Sequence, residues 1–192
     1  MPTINDLKFA LGAGARASKY MVHFAQPNAI QAIGDLSKAF LLCKGSSIPG
    51  KTIGQIDTFI QGRKLPISGD TQFSNNWTLT FYMTEDHSLR RNFLSWMTAC
   101  DNFQKNMHSG DPASVMAEMG VSQLDSAGNP TARYTFHNVW VSDVPEISVG
   151  ADQADTIIEF DVTFTYSDWV LGTGEFDEPT SANNATKNPT AY

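Results

Sequence analysis

IGQIDTFIQGRKLPISGD, residues 53–70, is the stretch on which the reading of this chain turns. Ile53, Ile56, Phe59, Ile60, Leu65 and Ile67 are interleaved with Gln, Asp, Gly, Arg and Lys, so neither a clean strand pattern nor a clean helix describes the whole. Gly62 and Arg63 lie near its middle. Their position predicts a two-limbed extension, TIGQIDTF outward and RKLPIS back, closed by Gly69-Asp70. Pro66 has no amide hydrogen to give, which assigns the return limb to a sheet edge. A half-apolar excursion of this length needs a partner.

Downstream, Trp77–Met83 (WTLTFYM) alternates Trp77, Leu79, Phe81 and Met83 against Thr78, Thr80 and Tyr82, the strongest strand pattern in the chain. Asp86 is placed to cap a helix with Leu89, Phe93, Trp96, Met97, Cys100, Phe103 and Met107 on its apolar side, ending at Ser109-Gly110-Asp111-Pro112. VMAEMGVSQLD and RYTFHNVWVSDV flank Ser126-Ala127-Gly128-Asn129-Pro130 and predict a hairpin. Thr156–Trp169 predicts one long strand, with Ile158, Phe160, Val162, Phe164 and Tyr166 on one face and Glu159, Asp161, Thr163 and Thr165 on the other.

Upstream, Ser18–Phe24 predicts a first strand and Ala39–Ser46 a second, with a loop and a short helical turn over Gln26–Asp35. Residues 1–17 are small-residue rich and weakly patterned, an N-terminal arm; 18–172 form one β domain; 173–192 are a polar, acidic tail. The sum is a mainly β fold, a β-sandwich or barrel with one flanking helix.

The formal net charge of -7 is unevenly placed: residues 1–142 carry 12 basic and 10 acidic side chains, residues 143–192 carry 1 and 10. Nucleic-acid binding draws its affinity from neutralised phosphates, so this balance argues against a grip on DNA or RNA and permits a surface that repels it. A charged fraction of 17% is low for a solvated monomer and points to burial in an assembly. The start lacks the basic segment and apolar core of a signal peptide, so the chain is expected to be cytosolic when made. Cys43 and Cys100 sit apart in apolar contexts and are expected to be buried thiols.

Catalytic signals are weak. His23, His87, His108 and His137 fall in different elements, and Asp86-His87 has a simpler role at a helix start. His108 and Asp111 lack a third metal ligand. Gly12-Ala13-Gly14-Ala15-Arg16-Ala17 matches a loose GxGxxA pattern but neither follows a strand nor opens a helix. No nucleophile has an evident base, and no cofactor, metal or enzymatic activity is expected. Arg63-Lys64 is either a solvated loop tip or an anchor for an acidic groove of another copy, and the accompanying Ile60 and Leu65 favour the anchor.

The run GRKLPISGDTQF through WTLTFYMTEDHSLRRNFLSWM resembles the tail tube proteins of contractile-tailed bacteriophages. In this sequence the matching features are Arg63-Lys64, Gly69-Asp70, Trp77-Thr78-Leu79-Thr80, Asp86-His87 and Arg90 through Trp96. The resemblance is densest over about 45 residues and extends more loosely to residues 18–170. It implies the fold shared with the type VI secretion tube protein, hexameric rings stacked into a hollow tube, and passage of the genome down the bore without specific binding. It further implies sheath, baseplate and tape-measure partners, and a virion tail location after assembly in the host cytoplasm. Ile56, Phe59, Ile60, Arg63, Lys64, Leu65 and Ile67 become ring-stacking residues, joined by the N-terminal arm. Glu159, Asp161, Thr163 and Thr165 become candidates for lining the bore. The alternatives are an injection tube carrying protein cargo or none and, from another class, a β-sandwich binding module.

Overall fold

The computed structural model describes residues 3–12, 14–25, 27, 36, 38–102, 104–150 and 156–172. The elements in order are α1 (Ile4–Leu11), β1 (Tyr20–Phe24), α2 (Ala39–Leu42), β2 (Cys43–Ser46), β3 (Lys51–Ile60), β4 (Arg63–Phe73) and β5 (Asn76–Tyr82). They continue as α3 (Ser88–Cys100), β6 (Asp101–Asn102), β7 (Met107–His108), α4 (Pro112–Val115), β8 (Ala117–Leu124), β9 (Pro130–Asp143), β10 (Glu159–Thr165) and β11 (Asp168–Gly172). Mainly β with one substantial helix is therefore the architecture.

Seven strands form one antiparallel sheet in the order β1-β8-β9-β10-β5-β2, with β11 also on β9. The sheet is open, yet it curls until its ends approach: Phe24 of β1 lies 6.0 Å from Phe81 of β5, and the Tyr20 hydroxyl donates to the Cys43 carbonyl of β2 at 3.2 Å. The curl is helped by Asn138, whose φ of 55° inserts a bulge into β9. Inward parity switches there, from Phe136 to Val139 and Val141. Below the bulge β9 pairs with β11 and above it with β10, while β8 follows its other side as far as Val139.

The alternating apolar residues fill the interior. Trp77, Leu79 and Phe81 of β5 and Val162 and Phe164 of β10 are essentially inaccessible, and α3 inserts Leu89, Phe93 and Trp96 among them. Trp77 stacks on Phe136 at 4.3 Å, and Phe93 meets Phe164 edge-on at 5.7 Å. Burying one such ring contributes roughly 1.5–3 kcal/mol, whereas an exposed ion pair contributes about 0–1 kcal/mol. The aromatic interior decides this fold.

Five local expectations change. The expected second strand opens with a helical turn, α2, and only Cys43–Ser46 is extended. α3 stops at Cys100 because Asp101 turns extended; the tight β6–β7 hairpin follows, with Asn106 at φ 51°, leaving Met107 exposed. Phe103 lies outside the described residues. The long C-terminal strand is divided at Tyr166-Ser167 opposite the bulge, where the Ser167 amide donates to the His137 carbonyl at 3.1 Å. The arm contains a helix, α1, whose capping box joins Thr3 and Asp6, a local signal hidden in a small-residue stretch. Both cysteines are free and half-buried. The loop expected over Gln26–Asp35 lies largely, and the tail over 173–192 entirely, outside the described residues.

Candidate assembly surfaces

The 53–70 excursion is a hairpin standing apart from the main sheet: among the described residues β3 and β4 pair only with each other, from Lys51↔Phe73 to Ile60↔Arg63, around Gln61-Gly62. Both tip residues adopt positive φ, 49° and 77°, the geometry a two-residue turn requires. At about 3.4 Å per residue the ten residues of β3 reach roughly 34 Å. Gly69-Asp70, expected to close the excursion, instead lies within β4, where the register shifts opposite Gly54. The turn into β5 comes later, at Ser74-Asn75, with Asn75 at φ 58°.

Register sorts the hairpin residues into two faces. Ile56 opposes Ile67, Thr58 opposes Leu65 and Ile60 opposes Arg63, so one face carries four large aliphatics and a guanidinium. Phe59 opposes Lys64 on the other face, with Gln55, Asp57, Pro66 and Ser68. There Lys64 pairs with Asp57 at 2.7 Å, and Gln55 donates to Asp57 at 2.6 Å. Together these hold the Asp57 carboxyl below its ordinary range, the lysine contact being the larger cause. Ile56, Ile60, Leu65 and Ile67 remain about half exposed, and Phe59 is 72% exposed. The structure therefore gathers five of the seven expected stacking residues on one face and separates Phe59 and Lys64 from them.

α1 is a second uncovered apolar element. Ile4, Leu7 and Leu11 recur at helical spacing, and no residue of the helix is buried.

The third surface is the outward face of β10. Glu159, Asp161, Thr163 and Thr165 all point away from the interior, opposite Tyr82, Thr80, Thr78 and Asn76 of β5. Parity was legible in the sequence because Phe160, Val162 and Phe164 had to be inward; the pairing partners were not. Thr80 donates to Asp161 at 2.7 Å, Thr78 and Thr163 share a hydrogen bond at 3.1 Å, and Thr165 donates to Asn76 at 3.5 Å. Lys44 of β2 closes the row on Glu159 at 2.6 Å. Lys44, Thr78 and Thr80 thus belong to this surface, although sequence reasoning assigned it to β10 alone.

The residues weighed for chemistry are otherwise occupied. The Asp86 carboxylate accepts from the Thr84 hydroxyl at 2.5 Å, the Ser88 amide at 3.2 Å and the Ser88 hydroxyl at 3.0 Å, which lowers its pKa to about 2; it engages the first amide of α3 from one residue ahead of the N-cap expected of it. His87 occupies the N-cap itself at φ 51°. Both line an open groove of about 780 Å³ with Leu42, Met83, Ile157 and Ile158. His108 approaches Asp101, not Asp111, at 3.8 Å on the surface. Among the described residues no group of three or more His, Cys, Asp or Glu side chains is placed to hold a metal, and no helix is long and apolar enough to cross a membrane.

A curled antiparallel sheet packed on one long helix, a projecting hairpin and an outward polar sheet face make up the described chain. Residues 15–172 match the family of phage tail tube proteins, and the chain belongs to that family. It is 28% identical over 149 residues to the tail tube protein gp19 of Enterobacteria phage T4, covering 76% of this chain and 91% of the relative. To the tail tube protein of Serratia phage KSP90 it is 21% identical over 169 residues, covering 86% and 95%. Its fold is also that of a chain in the extended sheath–tube complex of an extracellular contractile injection system, PVC. That match has a TM-score of 0.60 at 12% identity and covers 90% of this chain and 99% of the other.

Proposed function

We propose that this structural tail tube subunit closes into six-membered rings that stack head to tail, with the β3–β4 hairpin of one ring seated on the next. The hairpin carries the reading. A two-stranded ribbon has little stability alone, and this one exposes Ile56, Ile60, Leu65 and Ile67 on a single face. Half-exposed aliphatics retain about half of a burial worth roughly 1.5–3 kcal/mol each. Covering the four therefore stabilises each contact by about 3–6 kcal/mol before association costs.

The open sheet supports ring closure. Among the described residues β1, β2 and β11 each leave an unpaired edge, and joining sheets between subunits removes such edges. Head-to-tail contacts of one kind then extend the rings into a filament. In this arrangement the β10 face with Glu159, Asp161, Thr163 and Thr165 lines the bore, its carboxylates repelling phosphate. The tube stands inside a sheath in the virion tail, on a baseplate and around a tape-measure protein, after assembly in the host cytoplasm. Its role is to conduct the genome, with no catalysis and no cofactor.

Negative-stain electron microscopy across a concentration series tests the whole reading: hollow tubes of uniform width or six-fold rings are expected, and a persistent monomer refutes it. Replacing Ile60, Arg63 and Leu65 together by Ala is expected to leave a folded subunit that forms no long tubes. Tubes of unchanged length would remove the hairpin from the stacking contact.

A further inference from the structure

We propose that Glu159 masks Lys44, keeping the polar face of β2, β5 and β10 from adhering to phosphate chains, and that breaking this one pair turns the face into a nucleic-acid-binding surface. That the face lines a bore is taken from the function proposed above; the masking itself rests on the geometry.

The outward residues of this face are Lys44 on β2, Asn76, Thr78, Thr80 and Tyr82 on β5, and Glu159, Asp161, Thr163 and Thr165 on β10. Lys44 is the one basic residue of these three strands. Both Glu159 carboxylate oxygens lie 2.6 Å from its Nζ, and the Tyr82 ring stands 5.8 Å away. The threonine donors are largely engaged. Thr80 gives its proton to Asp161 and Thr165 to Asn76, while Thr78 and Thr163 bond to each other, leaving one hydroxyl proton between them.

Phosphate chains adhere through cations and hydroxyl or amide donors. Here the cation is neutralised and the threonine hydroxyls bond along the row. Exposed ion pairs contribute little to stability, and both partners are over a third exposed, so folding gains little from the pair. The consequence for charge is larger. An unmasked lysine in this position repeats in every subunit of an assembly, and each cation that meets a phosphate releases counterions and raises affinity multiplicatively. A strand moving along such a surface would be held at each repeat.

Tubes, or single subunits in which the same face is open, are compared for binding of a fluorescent single-stranded oligonucleotide at about 50 and about 200 mM salt. Glu159→Gln is expected to tighten binding by about tenfold or more at the lower salt and to steepen the salt dependence. Asp161→Asn removes the same charge from the same face without freeing a cation, and is expected to change binding little. Lys44→Met combined with Glu159→Gln is expected to return binding to that of the unsubstituted chain. Equal effects of Glu159→Gln and Asp161→Asn, or retained binding in the double variant, would overturn the masking.

The location is read separately. Thr163→Cys in assembled tubes is expected to react, above the unsubstituted background, with a small maleimide and not with one carried on a large polymer. Reaction with both places the face outside the tube; the bore assignment then fails while the oligonucleotide result still decides the role of the pair.

Discussion

Gly69→Ala, set against Gly54→Ala, tests whether the hairpin works as a rigid strut. The two glycines face each other at the register shift in β3–β4, but they are not equivalent. A Cβ added at Gly69 would lie 3.1 Å from the Gly54 carbonyl carbon and oxygen and 3.3 Å from Ile56 Cγ1. A Cβ at Gly54 meets its nearest neighbour, the Asp70 oxygen, at an ordinary 3.4 Å. Backbone cannot swing aside as a side chain can, so Gly69→Ala must displace β3 by a few tenths of an ångström. Overpacking of this kind costs about 1–3 kcal/mol, and among the described residues no third strand braces this ribbon. Amide exchange along β3 and β4 should therefore accelerate roughly 5- to 150-fold in Gly69→Ala. Thermal unfolding of the main domain should stay in place, because none of Gln55–Ile67 belongs to the core cluster. Tube assembly should require more protein. Gly54→Ala should be neutral or slightly stabilising. Equal exchange in the two variants would refute the strut, as would normal assembly by a subunit with a loosened hairpin.

Three further outcomes follow from the interior and its titrating groups. Trp96 donates its indole N–H to the Val115 carbonyl at 2.7 Å in a buried setting. Trp96→Phe orphans that oxygen and should lower stability to denaturant by about 1–3 kcal/mol; an unchanged midpoint would mean that water replaces the bond. Burial first, and the Arg133 charge second, hold His23 down to about pKa 4. An unfolded histidine titrates near 6.5, so its contribution is complete above that pH and is lost as pH falls toward 4. His23→Gln should flatten denaturation midpoints across this window, and an identical pH profile would contradict the assignment. Burial pushes the Cys43 thiol up to about 11 and raises that of Cys100. Both should react slowly with maleimide at neutral pH, and reducing agent should leave assemblies intact; dissolution by thiol would reveal a cross-link between subunits.

Local patterning was enough to settle which residues turn inward. Alternation in Trp77–Met83 and Thr156–Tyr166, and the 3.6-residue spacing of Leu89, Phe93 and Trp96, are local consequences of burying one side of a strand or helix. They survive any arrangement of neighbours. The hairpin limbs were legible for the same reason, since Gly62 and Pro66 act on their own backbone. Tertiary structure decided what depends on partners distant in the chain. The Asn138 bulge moves β9 from one neighbour to another, and Gly69 serves a close approach to Gly54 where its sequence context reads as a turn. Register alone put Ile56, Ile60, Leu65 and Ile67 on one hairpin face with Phe59 on the other. Lys44 meets Glu159 only because β2 and β10 flank β5. Periodicity records the side a residue faces, while the residue it faces is set by pairing across 115 positions of chain, which no local pattern encodes.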